Sequence, residues 1–281
     1  MRVLVTIDGL AGQEEFIGEI LGQPWPSSTR FDLLFVSAPG AKANGGSSLE
    51  AAREALSAGG FLTIHHHREG SPVHEILTAA TELESNLILA GDRRRSSLSR
   101  FLLGSVSTAL LRHAHANVQI VRPRLHDYRA IQNFRVLIAT DGSPASLRAA
   151  RAVAARPWPP GTEARIVSAI DLSIGPTLTL LKPSDECFPP HPEDFEEARH
   201  EANSHINAVR EILSPTGLIL SEEITLSSGN PREALLEAAT HWGPDLIFLG
   251  THGKGPLDRI LLGSVSEAIA THAPCSVEIV R

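Results

Sequence analysis

The chain has 281 residues, enough for two ordinary domains, with 42% hydrophobic and 20% charged residues and no apolar run long enough to cross a bilayer. Its net charge of -7 is unevenly spread: residues 1–130 carry 13 basic and 13 acidic side chains and residues 131–281 carry 12 and 19, so the acidic half has no basic footprint for phosphate backbones and nucleic acid is excluded as the main partner. Two cysteines, Cys187 and Cys275, cannot frame a chain of this size and lack CxxC spacing, which fits a reducing cytoplasm.

The opening MRVLVTIDG is a short apolar run closed by a turn pair, not a basic segment followed by a long apolar one, so it is expected to belong to the fold rather than direct export. RVLVTIDG reads as a strand buried on both faces. Helical periodicity follows in EEFIGEILGQ and LEAAREALSAG, then FLTIHHHREG reads as a third, edge strand, and a Gly-Ser-Pro turn at Gly70 opens the helix PVHEILTAATELE. NLILAG at Asn86 is a further strand, leading through GDRRRSSLSRFLLGSVS into the helix SVSTALLRHAH and a last strand, NVQIVR. After the polar segment HDYRAIQN, read as a linker, the series starts again. RVLIATDG at Arg135 repeats the first strand at an offset of 133; GNP at Gly229, DLIFLG at Asp245, LLGSVS at Leu261 and SVEIVR at Ser276 repeat their counterparts at 159. The 26 extra residues are expected after the second strand of the second half, around DLSIGPTLTLLKPSDECFPPHPEDFEEARHEA.

The expected fold is therefore α/β: two repeated doubly wound domains, residues 1–127 and 133–281, each with five parallel strands and helices on both faces of the sheet. In such sheets ligands lie at the carboxyl ends of the strands, where the strand order reverses.

In the second half that position is occupied by Gly250-Thr251-His252-Gly253, then nine residues, then Gly263-Ser264 opening the last helix. Glycines at strand ends permit positive φ and close approach to bare backbone, and a helix N-terminus favours phosphate. Neither GxxxxGK[ST] nor GxGxxG is present. Asp141, at the end of the first strand of this half, places a carboxylate near the glycine loop, suited to a ribose hydroxyl or Mg²⁺.

The spacing Gly250, Gly253, Gly263, Ser264, with Asp141 and the ending HAPCSVEIVR, resembles the universal stress protein family in its tandem form, over nearly all of both halves. The resemblance implies strand order 3-2-1-4-5, pairing of the two halves through their fifth strands, and binding of ATP without vigorous catalysis. It assigns nucleotide contacts to Asp141, Gly250, Gly253, Gly263, Ser264 and Val265, with Ala169 as a backbone contact to adenine. In the first half Asp8, Gly91, Gly104 and Ser105 are retained, but Arg94, within Arg93-Arg94-Arg95, replaces the second glycine. That reads as a degenerate site, with direct anion binding by the arginines as the alternative.

Local readings stand beside these. Ser264 and Glu267 also form the pattern of a capping box, and Asp141-Gly142 that of a turn. His65, His66 and His67 read as solvated edge-strand residues rather than a metal site, as do His113 and His115; His252 is read the same way unless it lines the nucleotide pocket. Cys275 reads as buried and inert, and Cys187 lies in the insertion, whose acidic, proline-rich sequence reads as a solvated loop or as a lid over the adenine side.

The function expected from all this is a cytoplasmic, ATP-binding regulatory protein of the stress response, with ATP and Mg²⁺ held by the second half, no catalytic residues and at most slow hydrolysis. Its two halves pair within the chain, with a homodimer as a further assembly. The rivals are an interaction module that needs no nucleotide, and an adenylyl-transfer or nucleotide-hydrolysing enzyme, for which His252, Lys254 and Arg259 are the candidate groups.

Overall fold

The computed structural model describes residues 1–8, 12–40, 46–92, 103–123, 133–171, 192–227, 230–251 and 262–281. The three-arginine loop, Gly253 with its neighbours His252, Lys254 and Arg259, Cys187, most of the insertion and, apart from Asn133, the segment HDYRAIQN lie outside them.

The first half runs β1 (Arg2–Ile7), α1 (Gln13–Leu21), β2 (Arg30–Ser37), α2 (Gly46–Ala58), β3 (Leu62–Glu69), α3 (Pro72–Glu82), β4 (Leu87–Gly91), α4 (Ser105–His113) and β5 (Asn117–Val121). The second runs β6 (Arg135–Ala139), α5 (Pro144–Ala154), β7 (Glu163–Asp171), α6 (Pro192–Leu213), β8 (Ile219–Ser227), α7 (Pro231–Trp242), β9 (Leu246–Gly250), α8 (Ser264–His272) and β10 (Ser276–Val280). Among the described residues the strands form one ten-stranded sheet, ordered β3-β2-β1-β4-β5-β10-β9-β6-β7-β8. Every neighbouring pair is parallel except β5 and β10, where Val277 faces Ile120, Glu278 faces Gln119 and Ile279 faces Val118.

Central strands such as β4 (LILAG) and β9 (LIFLG) are apolar at every position because helices cover both faces. The outermost strands β3 and β8 instead carry charged and polar residues, which protects an open edge. On one face of the sheet, α3, α4, α7 and α8 bury a core that is continuous from Leu4 and Leu34 through Val118 and Val277 to Leu137 and Val167. On the other face it divides: Val3, Phe31 and Leu56 pack with α1 and α2, and Val136, Val209 and Phe248 with α5 and α6.

A buried polar group crosses the seam between the halves. Gln119 Nε2 donates to Gln23 Oε1 at 3.0 Å, Arg156 Nη1 to the same oxygen at 3.3 Å, and Arg156 Nη2 to the Glu278 carboxylate. The Arg156 guanidinium lies 4.8 Å from the ring centre of Trp25 and 5.0 Å from that of Phe248. Burial pushes the Glu278 carboxyl above the usual carboxylate range and Arg156 below its own, outweighing their mutual attraction. At the matching positions of the first half, by the offsets of 133 and 159, stand Gln23 and Gln119 themselves.

One local expectation changes, at His66. Of the three edge-strand histidines, His65 and His67 are exposed and His66 is half-buried. His66 Nε2 is 2.9 Å from Oδ1 of buried Asp32, which Arg30 also holds, while His67 Nε2 is 2.9 Å from Ser37 Oγ and stacks on Phe35. Cys275 is buried. Among the described residues no helix is long and apolar enough to cross a membrane.

Candidate functional site

At the carboxyl ends of β6, β7 and β9, beside the point where strand order reverses, lies a cavity of about 360 Å³. Its volume falls within the usual range for small-molecule pockets. Six of the seven residues assigned by the family resemblance line it: Asp141, Ala169, Gly250, Gly263, Ser264 and Val265; the seventh, Gly253, lies outside the described residues. Val167, Pro231, Leu235 and Leu249 supply apolar walls, and Thr140 and Ser266 add hydroxyls.

The turn carrying Asp141 is locked by its neighbours. Ser143 caps α5, accepting from Ser146 N at 3.2 Å, and Pro144 occupies the first helical turn. Asp141 Oδ1 accepts from Ser143 N at 3.0 Å, and Thr140 Oγ1 from Gly142 N at 3.2 Å. Gly142 has φ 73°, and a Cβ placed on it would stand 2.2 Å from Cδ2 of His205 on α6. The turn is thus structural, and it also fixes one carboxylate at the mouth of the cavity.

The two described glycines of the motif do not use left-handed backbone. Gly263 is the residue before α8, at φ -64° and ψ 148°. Gly250 ends β9 and is required for a different reason: a Cβ there would lie 2.6 Å from the carbonyl carbon of Ala145 and 2.7 Å from its Cβ, so the first turn of α5 occupies the space a side chain would need. Ser264 is also not a cap. It is the first helical residue and exposed, its hydroxyl makes no capping bond, and Glu267 reaches Arg112 at 2.5 Å instead of turning back. The first helical hydrogen bond of α8 runs from Glu267 N to Gly263 O at 2.9 Å, so the amides of Ser264, Val265 and Ser266 precede it at the positive end of the helix. Ser266 Oγ donates to Gly250 O at 2.7 Å and ties α8 to β9.

The first half keeps the frame and alters the contents. Gly104 and Ser105 open α4 as Gly263 and Ser264 open α8, and Asp8 is exposed at the end of β1. However, α1 starts at Gln13, two residues later than α5 by the offset of 133, after Gly12 at φ 94° and without a side-chain cap. The ring of Phe16, where α5 has Ala149, stands 3.5 Å from where a Cβ on Gly91 would be. Sequence reasoning missed Thr140, Val167, Pro231, Leu235, Leu249 and Ser266; for Pro231 the signal was present, as part of the Gly-Asn-Pro turn that repeats Gly-Ser-Pro.

A sequence profile described as the universal stress protein family matches residues 23–122 and again 133–281. A universal stress protein of Thermus aquaticus is 35% identical over 147 residues, 52% of this chain and 97% of that protein; a putative universal stress protein of Staphylococcus aureus is 36% identical over 87 residues, 31% of this chain and 52% of that protein. Among solved structures, a universal stress protein from Archaeoglobus fulgidus superposes with a TM-score of 0.63 at 21% identity, covering 100% of this chain and 96% of that one. A putative universal stress protein from Pseudomonas aeruginosa gives 0.65 at 16%, covering 99% and 92%; at these identities the likeness is one of fold. The two matches of the profile, one in each half, together with these relatives, place the chain in the universal stress protein family, as a tandem member.

Proposed function

We propose that the second half binds an adenine nucleotide, ATP with Mg²⁺ as its counter-ion, and that the chain serves the stress response in the cytoplasm as a nucleotide-dependent regulator of a protein partner. The observation that carries this reading is the meeting, in one cavity of about 360 Å³, of a fixed carboxylate, apolar walls and the start of a helix. The residues suit the parts of such a ligand. Val167, Ala169, Pro231 and Leu235 offer apolar surface to a base; Asp141 offers an acceptor to a ribose hydroxyl; the amides and hydroxyl at Ser264–Ser266 offer donors to phosphate oxygens. Mg²⁺ would neutralise the phosphate charge. Asp141 is the one carboxylate among the described lining residues, which favours binding over turnover.

The first half, with Phe16 against Gly91 and three arginines in its loop, has on this reading lost its own nucleotide site. The test is to purify the chain without added nucleotide, denature it, and identify and count what is released. The same is done for Gly253→Arg, which copies the first-half loop. About one adenine nucleotide per chain, absent from the variant, is expected for a single site. Two per chain would show that the arginine loop binds as well. None, with no uptake of added ATP, would leave an interaction module that needs no nucleotide.

A further inference from the structure

We infer that Arg122, a first-half residue, is a positioning residue of the second half's site, holding α8 so that its opening amides stay aimed into the cavity. This rests on the nucleotide reading above. A helix of nine residues cannot hold itself, since isolated helices shorter than about 12 residues are marginal in water. One end of α8 opens on the cavity at Ser264, and the carbonyls of its other end need partners. Arg122, just beyond β5, supplies them from across the seam. Its Nη2 donates to Ala270 O and, at 3.3 Å, to Thr271 O, and its Nη1 donates to Cys275 O at 2.9 Å. The guanidinium is 2% exposed, and Asp92, itself 1% exposed, balances its charge with Oδ2 2.8 Å from Nε. A planar cation at a helix C-terminus is favoured by the helix dipole and by the fork geometry of its donors. A second first-half arginine, Arg112 on α4, grips α8 one turn from its start through Glu267 at 2.5 Å.

The mirror arrangement is weaker, and this makes the grip more than a by-product of duplication. Arg281 corresponds to Arg122, and its Nη2 donates to Leu111 O on α4 at 2.5 Å, as Arg122 does to Ala270. Thr251 stands where Asp92 should, and Arg281 Nε is buried with no hydrogen-bond partner among the described residues. Thr271 and Thr108 stand where Arg112 and Glu267 should. The anchored grip therefore falls on the helix of the half whose glycine motif is intact. The half with the altered loop provides it.

The test uses the full chain and the variants Arg122→Ala, Arg122→Lys and Arg281→Ala. Three quantities are read: melting temperature, amide hydrogen exchange at Glu267–Ile269 without ligand, and affinity for Mg·ATP by calorimetry. Both alanine variants should lower the melting temperature. Only Arg122→Ala should speed exchange in α8 and weaken Mg·ATP binding about tenfold, with Arg281→Ala within about twofold of the parent. Arg122→Lys should recover part of the affinity, because it restores the charge without the fork. Equal effects of the two alanine variants on Mg·ATP, or unchanged exchange in α8 of Arg122→Ala, would overturn the inference. If Arg122→Ala does not fold, Asp92→Asn, which removes only the balancing charge, is read against the same criteria. If the parent takes up no Mg·ATP, the nucleotide reading falls, and the exchange comparison still decides whether Arg122 positions α8.

Discussion

The end of β9 leaves no room for a side chain at Gly250, because the backbone of Ala145 lies 2.6 Å from where a Cβ would stand. Gly250→Ala should therefore force α5 away from β9 and destabilise the chain by about 1–3 kcal/mol, as overpacking does. Gly91→Ala, at the matching position, meets among the described residues only the Phe16 ring at 3.5 Å and should stay within about 0.5 kcal/mol of the parent. Urea denaturation of the two variants checks the contrast; equal losses would refute it.

Gly142 is required twice, by its φ of 73° and by His205 above it. Gly142→Ala should lose about 1–2 kcal/mol from the backbone conformation alone, and more from the contact. Adding His205→Ala should return the contact part and leave the backbone part. A double-mutant cycle by chemical denaturation separates them, and strictly additive losses would show that the two residues do not touch in solution.

At the seam, Arg156→Gln alone would leave the Glu278 carboxyl buried without its counter-charge, and should cost about 3–5 kcal/mol. Converting both residues, Arg156→Gln with Glu278→Gln, copies the Gln23 and Gln119 pair. That variant should be as stable as the parent or more so, by up to about 4 kcal/mol. The comparison is made by denaturant titration at neutral pH.

The same pair gives a pH dependence. Burial raises the folded-state pKa of Glu278 above its unfolded value, so the folded chain binds this proton more tightly than the unfolded one. Its contribution is fully present below the unfolded pKa and is lost as pH rises through the raised folded value. The stability of the parent relative to the double glutamine variant should therefore fall as pH climbs from about 4 toward neutrality. Denaturation midpoints of both proteins across that range test the sign.

Asp141→Asn keeps the size of the side chain and its bond from Ser143 N, and removes the charge at the mouth of the cavity. A hydrogen bond to a charged group contributes about 1.5–3 kcal/mol, so nucleotide affinity should fall about 10- to 100-fold with little change in stability. Calorimetric titration with Mg·ATP provides the measurement.

Much of this was legible in the linear chain, and for physical reasons. Strands covered on both faces read as unbroken apolar runs, so RVLIA and LIFLG announced the sheet, and the two offsets brought Asp141, Gly250 and Gly263 to one end of it. What stayed hidden depended on residues far away in sequence. Nothing near Gly250 shows that Ala145 will press on it, and Ser264 followed by Glu267 looks like a cap until Arg112 draws the glutamate aside. Likewise His66 looked solvated because Asp32, its partner, lies on the neighbouring strand. The Arg156 and Glu278 pair carries no local signature at all; it becomes visible only when the end of α5 packs against β10.

The helices α3, α4, α7 and α8 share one apolar core across both halves, whereas the opposite face is divided in two. Each repeat therefore leaves part of its interior unfinished and completes it with the other. A substitution that loosens Leu4 or Ile88 in the repeat with the altered loop draws on the same folding free energy that keeps the intact cavity closed around its walls. The two repeats should therefore melt as one body, which gives the repeat with the altered loop a structural use that owes nothing to any ligand of its own.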